Sequence, residues 1–382
     1  MPKLSTSGGR LIHHTRQPEV KKWSCCIVEV ESRLLQSGVA LLVLLLPLLF
    51  AGSHTTAQDD LDDKAKVWPC PAPQDLVPCT CYADDKLNLF VECQSLPSLA
   101  KLKDVFSKPF AFHKFARLQV GNSYFGGETL TDDVFQNFTF REVIFFDNNL
   151  GGVTLTAFEN SKSELTSFEF LDTSAGFPLP ADLSAYVQLR EIMVVSQSAE
   201  IPSLAAPKVL SLTIRSTQNV TLPVAPTNLP ELTTLHLHNS NLISVGGGVF
   251  TNSPKLMTVT LQNNYLTSDA LSLTFTNLYE LNLSSNKLSD MPLISGMARG
   301  STVRISHNTD IRSLSKTSTE ALLQGDVNIV ADGITLKCDC DLRWLLGDDD
   351  ATMYLDNQLT VATECPEENT WSEMRIILDS LC

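Results

Sequence analysis

The sequence is poor in positive charge. Its 382 residues include 28 lysines and arginines against 43 aspartates and glutamates, a formal net charge of −15. Residues 1–57 hold six basic and three acidic residues, so the remainder carries 22 basic and 40 acidic residues, a net charge of −18. A surface of this sign repels phosphate backbones and anionic membranes. We therefore expect no nucleic-acid partner.

The sequence also lacks an apolar run of membrane length, which requires about 20 residues. The run VALLVLLLPLLF extends from Val39 to Phe50 and has the length of a signal-peptide core. Small residues before Gln58 form an acceptable cleavage site, and a second option follows Ser53. We interpret residues 1–57 as a signal segment with an extended n-region and predict a secreted protein without a stable membrane span. The alternative is an uncleaved type II signal anchor at the cell surface, because 38 residues precede the run.

Sequence motifs of catalysis are missing as well. There is no G-x-S-x-G, no H-E-x-x-H and no phosphate-binding loop. His236 and His238 alternate along one predicted strand and therefore share a face, where they could bind a metal or titrate near neutral pH. No third ligand is evident, so we predict no metal site, no cofactor and no catalytic residue.

What the sequence does contain is a repeat. The segments LTTLHLHNSNL, LMTVTLQNNYL and LYELNLSSNKL begin at Leu232, Leu256 and Leu278, at spacings of 24 and 22 residues. Each has apolar residues at positions one, four, six and eleven, and the last two have asparagine at position nine. This pattern is typical of the leucine-rich repeat, in which each unit supplies one short strand and a turn. Because no unit can bury its own apolar side, neighbouring units must stack into a curved solenoid.

The same template continues in degenerate form through most of the chain. Nine predicted repeats start at residues 115, 140, 165, 189, 209, 232, 256, 278 and 300. We predict a right-handed solenoid of the α/β type over residues 94–336, with a curved parallel sheet. Prolines in the connections favour an irregular or 3₁₀ convex side over full helices. Phenylalanine replaces leucine at several core positions of the first half, where we expect less regular repeats.

Alternation along each strand assigns its side chains to two faces. Positions four and six point to the core, whereas positions three, five and seven face the concave surface. Three successive repeats place apolar residues at positions five and seven, and such a patch often marks a partner site. The alternatives are that an N-terminal loop covers the patch or that the assumed repeat register is wrong. The predicted partner-binding residues are Ile144, Phe146, Leu171, Met193 and Val195, followed by Arg215, His236 and His238.

Acidic residues accompany the predicted patch. Glu142, Glu169 and Glu191 fall at positions three and five of the same repeats. They give this end of the concave face a negative field, which suits a basic partner.

Eight of the ten cysteines lie beyond the signal segment, in two clusters of four. Even clusters after a signal sequence predict disulfides in an oxidising compartment. Zinc is the alternative, but neither cluster has the usual C-x2–4-C spacing. The first cluster is Cys70, Cys79, Cys81 and Cys93, and the second is Cys338, Cys340, Cys365 and Cys382.

Three N-x-S/T sequons permit glycosylation in a secreted chain. They lie at Asn137, Asn219 and Asn282. We predict a glycoprotein on this basis, although sequons also occur by chance in a chain of this length.

The cysteine clusters resemble the capping modules of extracellular leucine-rich-repeat proteins. CPAPQDLVPCTCYADDKLNLFVEC resembles the N-terminal cap, and CDCDLRWLL with the last two cysteines resembles the C-terminal cap. The resemblance implies a linker and cap over residues 58–93 and a second cap over residues 337–382. It also implies bonds from the first to the third and from the second to the fourth cysteine of each cluster. The implied pairs are Cys70–Cys81, Cys79–Cys93, Cys338–Cys365 and Cys340–Cys382.

A narrower resemblance rests on the opening WPCPAPQDLVPCTC, the phenylalanine-rich early repeats and the segment RISHNTDI. These are similar to secreted arthropod proteins of the family that contains the non-catalytic subunit of oplophorus-luciferin 2-monooxygenase. The resemblance implies a non-enzymatic, stabilising protein whose concave face binds a small catalytic subunit or another extracellular protein. Two other functions stay open, namely direct participation in luciferin oxidation and a structural role in the extracellular matrix.

Overall fold

The computed structural model describes most of the chain from residue 69 onward. The signal segment predicted for residues 1–57, the linker that follows it and the sequon at Asn219 lie outside the described residues. Within the described part of the chain, no helix is both long and apolar enough to cross a bilayer. The described ranges are 69–176, 182–198, 204–216, 228–246, 248–269, 271–347, 353–366 and 368–382.

Thirteen strands of the described residues form one long sheet, in which neighbours follow the order of the chain. The first pair, β1 and β2, is antiparallel, and every later pair is parallel. The predicted leucine-rich-repeat solenoid is therefore confirmed. The strands are β1 (Cys79–Ala83), β2 (Leu89–Gln94), β3 (Lys114–Gly121), β5 (Thr139–Phe146), β7 (Ser167–Gly176), β8 (Glu191–Ser198), β9 (Ser211–Ser216), β10 (Thr234–His236), β11 (Thr258–Thr260), β12 (Ser272–Asn282), β13 (Leu293–Arg304), β14 (Asn328–Leu336) and β15 (Leu359–Thr363).

Where the structure describes them, the connections on the convex side carry little helix. A small parallel sheet of β4 (Thr129–Leu130) and β6 (Gly152–Val153) joins two of them, and a 3₁₀ helix follows at Leu155–Ser161. The α-helices lie toward the two ends of the repeat array, and a second 3₁₀ helix lies in the C-terminal cap. They are α1 (Pro73–Leu76), α2 (Leu99–Phe106), α3 (Lys316–Gln324), the 3₁₀ helix Cys340–Leu346 and α4 (Trp371–Leu381).

In one place, two connections on the convex side form paired strands instead of irregular structure. Strands β12 and β13 begin in their connections and pair there, at Ser272–Thr274 with Leu293–Ser295, before they pair again on the main sheet. The turn between the two pairings has Gly296 at φ +78°, where a Cβ atom would lie 1.9 Å from the Phe275 carbonyl oxygen. Only glycine fits this close approach without displacement.

Positions four and six of the repeats form the core, as predicted. Leu118 and Val120 of β3 are fully buried, and the equivalent residues of later strands are buried to a similar extent. In the first half, the core is largely phenylalanine. Phe140 packs edge-on against Phe106, Phe135 and Phe158 with ring-centroid distances of 6.0, 5.3 and 6.5 Å.

In six of the repeats, position eight lies just beyond the end of the strand. Here the backbone turns into the left-handed region, which asparagine and aspartate tolerate better than most residues. The residues with positive φ at this position are Asn122, Asp147, Asn239, Asn263, Ser285 and His307.

Position nine forms a buried asparagine ladder along the solenoid. Asn286 donates to the carbonyl oxygens of Leu261 (3.0 Å) and Leu283 (2.8 Å) and accepts a hydrogen bond from the Leu266 amide (3.1 Å). Asn148, Asn264 and Asn308 bridge neighbouring repeats in the same way. The ladder satisfies backbone groups that the turns would otherwise leave buried and unpaired.

Four disulfides lie in the two caps, Cys70–Cys81 and Cys79–Cys93 at the N-terminal end, Cys338–Cys365 and Cys340–Cys382 at the C-terminal end. This is the pairing that the resemblance to capped repeat proteins implies. Because the caps cover the apolar ends of the stack, they protect surfaces that would otherwise be exposed.

Candidate protein-binding surface

The parallel register brings side chains of three neighbouring strands together on the face opposite the core. Strands β5, β7 and β8 pair without a shift over their first halves, so positions three, five and seven align across all three. The register error considered from the sequence is therefore absent. The result is a three-by-three grid of Glu142, Ile144 and Phe146 on β5, Ser167, Glu169 and Leu171 on β7, and Glu191, Met193 and Val195 on β8.

Five members of this grid form what we call the concave patch: Ile144, Phe146, Leu171, Met193 and Val195. Each is partly buried by its neighbours and keeps part of its surface in solvent. Two rows contribute, because Ile144 and Met193 stand at position five and the other three at position seven. The register thus places the five side chains on one face of three adjacent strands, and their role as a partner site stays a prediction.

Gly121 supports the aromatic member of the patch. It pairs with Phe146 across β3 and β5, and a Cβ atom built on it would lie 2.1 Å from Phe146 Cζ. The ring therefore lies directly over the glycine backbone. The sequence analysis missed this contact, although glycine at a concave strand position was a signal for a close approach.

The carboxylate of Glu169 stands at the centre of the grid. Burial raises the pKa of Glu169 above its ordinary value of 4.5, the Glu191 and Glu142 carboxylates raise it further, and Arg117 lowers it. Among the described residues, Glu169 makes neither a hydrogen bond nor an ion pair. The concave patch thus surrounds a carboxylate whose charged form is disfavoured by its setting.

Arg117 compensates one of the three acidic side chains. Its guanidinium contacts Glu142 at 2.8 Å and lies 5.8 Å from the centroid of the Phe90 ring. Phe90 in turn stacks on Tyr82 at 5.1 Å, and the Tyr82 hydroxyl donates to Glu92 at 2.6 Å. The concave surface therefore continues from the repeats onto the N-terminal cap, an extension that the sequence analysis did not predict.

The predicted polar neighbours of the patch lie further along the sheet. Arg215 is exposed and stands beside Val195, whereas His236 lies two strands beyond Met193, with Thr213 between them. The rings of His236 and His238 are 6.1 Å apart. The patch and the two histidines are thus neighbouring parts of one face rather than a single cluster.

The two histidines are poorly suited to carry charge at neutral pH. Burial lowers the pKa of both His236 and His238, and Arg215 lowers that of His238 further. Over the described part of the chain, no three histidine, cysteine, aspartate or glutamate side chains cluster as metal ligands would. The pair is therefore a neutral hydrogen-bonding surface at pH 7.

The described sequons differ in their surroundings. Asn137 is exposed in a convex connection, next to the buried Phe138. Asn282 lies on the concave strand β12, where its amide donates to Gln262 Oε1 at 3.3 Å and its oxygen accepts from the Ser284 amide at 3.0 Å. A glycan at Asn282 would stand on the concave face, whereas one at Asn137 would leave it open.

The parallel repeats and the disulfide-bonded caps at both ends of the repeat array define a leucine-rich-repeat protein. No protein-family model matches the chain. The chain is similar to the Oplophorus-luciferin 2-monooxygenase non-catalytic subunit of Oplophorus gracilirostris, with 27% identity over 293 residues. The similarity covers 72% of this chain and 79% of that subunit.

Two solved structures also share similarity with the chain. A chain of the Toll–Spatzle complex from Drosophila is 16% identical with a TM-score of 0.39, over 72% of this chain and 45% of that one. A chain of the octameric complex of Latrophilin 3, Unc5D and FLRT2 is 16% identical with a TM-score of 0.46, over 77% and 96% of the two chains. The fold assignment rests on the repeat register and not on these two likenesses.

Proposed function

We propose that this chain is a secreted, non-enzymatic protein that binds an extracellular protein partner through the concave patch. The observation that carries the proposal is the alignment of five apolar side chains on the solvent side of three paired strands. A surface of this kind can be desolvated by a partner with little ordering cost, because the sheet is preformed. One aromatic or aliphatic anchor there contributes about 2 kcal/mol or more to binding.

The similarity to a non-catalytic subunit supports a binding role within an enzyme complex. By this analogy the partner is a small catalytic subunit, and the present chain stabilises it without taking part in the reaction. The 27% identity leaves room for a different extracellular partner on the same face.

Secretion is part of the proposal. We assign residues 1–57 to the signal segment, residues 58–93 to the linker and N-terminal cap, residues 94–336 to the repeats and residues 337–382 to the C-terminal cap. Four disulfides in the two caps support this assignment, because disulfides persist in oxidising compartments.

The proposal is tested by recovering partners from the native extracellular fluid. Immobilised wild-type protein is compared with Phe146→Asp, which places a charge in the patch, and with Tyr279→Asp. Tyr279 is 48% exposed and lies at position two of its repeat, outside the concave face, so it is a matched control. We expect wild type and Tyr279→Asp to recover the same partner and Phe146→Asp to lose it. Equal recovery by all three would place the binding site elsewhere.

A direct role in luciferin oxidation is tested separately. Purified protein alone is incubated with a coelenterazine-like substrate, and light emission and substrate consumption are followed. We expect no turnover. Sustained turnover that is lost in the double variant His236→Ala, His238→Ala would overturn the non-enzymatic assignment.

A further inference from the structure

Glu169 occupies a boundary between two kinds of surface. On one side of it, the position-seven row of Phe146, Leu171 and Val195 is apolar, and on the other side the position-three row contains Glu142 and Glu191. Ile144 and Met193 flank it on the adjacent strands. Glu169 therefore has apolar neighbours on three sides and, on the fourth, Ser167 between Glu142 and Glu191.

Of the two arginines on this face near the boundary, Arg117 is already paired and Arg215 stands further along the sheet. Arg117 pairs with Glu142 at 2.8 Å, and Arg215 stands on β9, two strands from Glu169 and at the apolar row. Among the described residues, neither Glu169 nor Glu191 has an ion-pair partner. The free surface consequently presents uncompensated negative charge directly beside the apolar anchors.

We propose that the concave patch recognises a lysine or arginine side chain flanked by apolar residues of the protein partner, with Glu169 as the acceptor of the cation. The inference rests on the proposed function, because it names the chemistry of the segment that this surface binds. Apolar partner residues would contact the Phe146 row while the cation reaches back toward Glu169 and Glu191. Electrostatic complementarity of this kind fixes the orientation of a partner and excludes partners of the wrong charge.

The setting of Glu169 makes such a contact selective. Part of the cost of desolvating the carboxylate is already incurred in the free protein, so less desolvation remains to oppose binding. A neutral partner gains no such contact and leaves the carboxylate buried without compensation. A second copy of this chain is a poor occupant, because it carries a net charge of −15 and would bring the same acidic row to the interface.

The probe is a random twelve-residue peptide library selected against the intact protein, with Phe146→Asp used for counter-selection. We expect the peptides that depend on Phe146 to be enriched in lysine or arginine next to apolar residues. Selected peptides are then titrated against wild type, Glu169→Gln and Glu280→Gln. Glu280 is a matched control, since it lies on the same face but already has Arg304 at 3.5 Å.

Glu169→Gln should weaken peptide binding about ten-fold or more, because the variant loses a charge-assisted hydrogen bond to the peptide cation. Glu280→Gln should leave the affinity unchanged. Affinity for wild type should fall as the pH is lowered from 7 toward the ordinary glutamate value of 4.5, because the pKa of Glu169 is raised above that value, and Glu169→Gln should lack this pH dependence. Replacing the peptide lysine by glutamate should abolish binding to wild type and restore binding to Glu169→Lys, which guards against a variant that merely misfolds.

The outcomes separate this inference from the proposed function. Phe146-dependent peptides without basic residues, or equal affinity of wild type and Glu169→Gln, would overturn the inference and leave the binding surface intact. Removal of all wild-type-binding peptides by the Phe146→Asp counter-selection would contradict the concave patch itself.

Discussion

At the scale of single residues, the concave patch borders a carboxylate whose charged form is disfavoured in the folded protein. The pKa of Glu169 is raised in the folded state, so between its ordinary value of 4.5 and the raised value the folded chain binds more protons than the unfolded one. The free energy of unfolding therefore falls as pH rises through this window. A group that costs stability on an open face is a candidate for a functional role.

Replacing this carboxylate by an amide should stabilise the free protein. We expect Glu169→Gln to unfold at a higher denaturant concentration than wild type at pH 7, and to show no difference below the ordinary glutamate pKa. Denaturant titrations at pH 7 and pH 3.5 measure both values. A variant less stable than wild type at pH 7 would contradict the assigned environment of Glu169.

Gly121 should be intolerant of even one added methyl group. Gly121→Ala places a Cβ atom within 2.1 Å of Phe146 Cζ, so the ring must move or the strands must separate. We expect a loss of about 1–3 kcal/mol in the free energy of unfolding, typical of overpacking, together with weaker partner binding. Gly127→Ala is not a suitable control because its φ is +77°, whereas Lys287→Ala is exposed and should change stability by less than about 0.5 kcal/mol.

The sequence alone predicted which residues form the patch but not how they are held. Position numbers place Phe146 on the concave face, because strand alternation is local. Its contact with Gly121 and the pairing of Arg117 with Glu142 depend on side-chain directions across two strands. Those directions follow from packing and not from the repeat template.

At the scale of elements, the asparagine ladder couples each turn to the repeat before it. Asn286→Ala would leave the Leu266 amide without its side-chain partner. The Leu261 and Leu283 carbonyl oxygens would each lose one donor and keep another, from Asn264 and Asn308 respectively. We expect a loss of about 1–3 kcal/mol in the free energy of unfolding, because that is the cost of one buried unpaired group. Thermal and denaturant unfolding measure it, with Lys287→Ala as the neighbouring control. A loss below about 0.5 kcal/mol would show that the ladder is not structural.

The core phenylalanines should matter as much as the ladder. Phe140 is fully buried among Phe106, Phe135 and Phe158, so Phe140→Ala removes a large packed side chain. We expect it to cost about 3–5 kcal/mol, as measured for such truncations in other cores. Phe140→Leu should retain much of the stability. A small effect of the alanine variant would indicate that this half of the core is loosely packed.

The strands could be predicted from the sequence wherever the leucine-rich-repeat pattern is periodic. The strands at positions three to seven follow directly from alternating apolar residues. The pairing of β12 and β13 on the convex side was not predicted, since it depends on Gly296 turning beside Phe275 and on two connections of matching length. Such features arise between repeats, where the template places no constraint.

At the scale of the whole molecule, the caps and the stacked repeats make one continuous sheet from β1 to β15. The cysteine clusters predicted closed ends, and the four disulfides each stay within one cap. Peptide mapping of the unreduced protein should recover these four bonds. A bond between a cysteine of residues 70–93 and one of residues 338–382 would contradict the separate caps.

The most direct test of the central claim is photo-cross-linking from the concave patch. The photoreactive residue p-benzoylphenylalanine is placed at position 146 in one protein and at position 279 in another, and each is irradiated in the native extracellular fluid. If the patch is the binding surface, position 146 will yield a covalent adduct with one discrete partner and position 279 will not. An adduct from position 279 alone, or none from position 146 while the wild-type protein recovers a partner, would contradict the account.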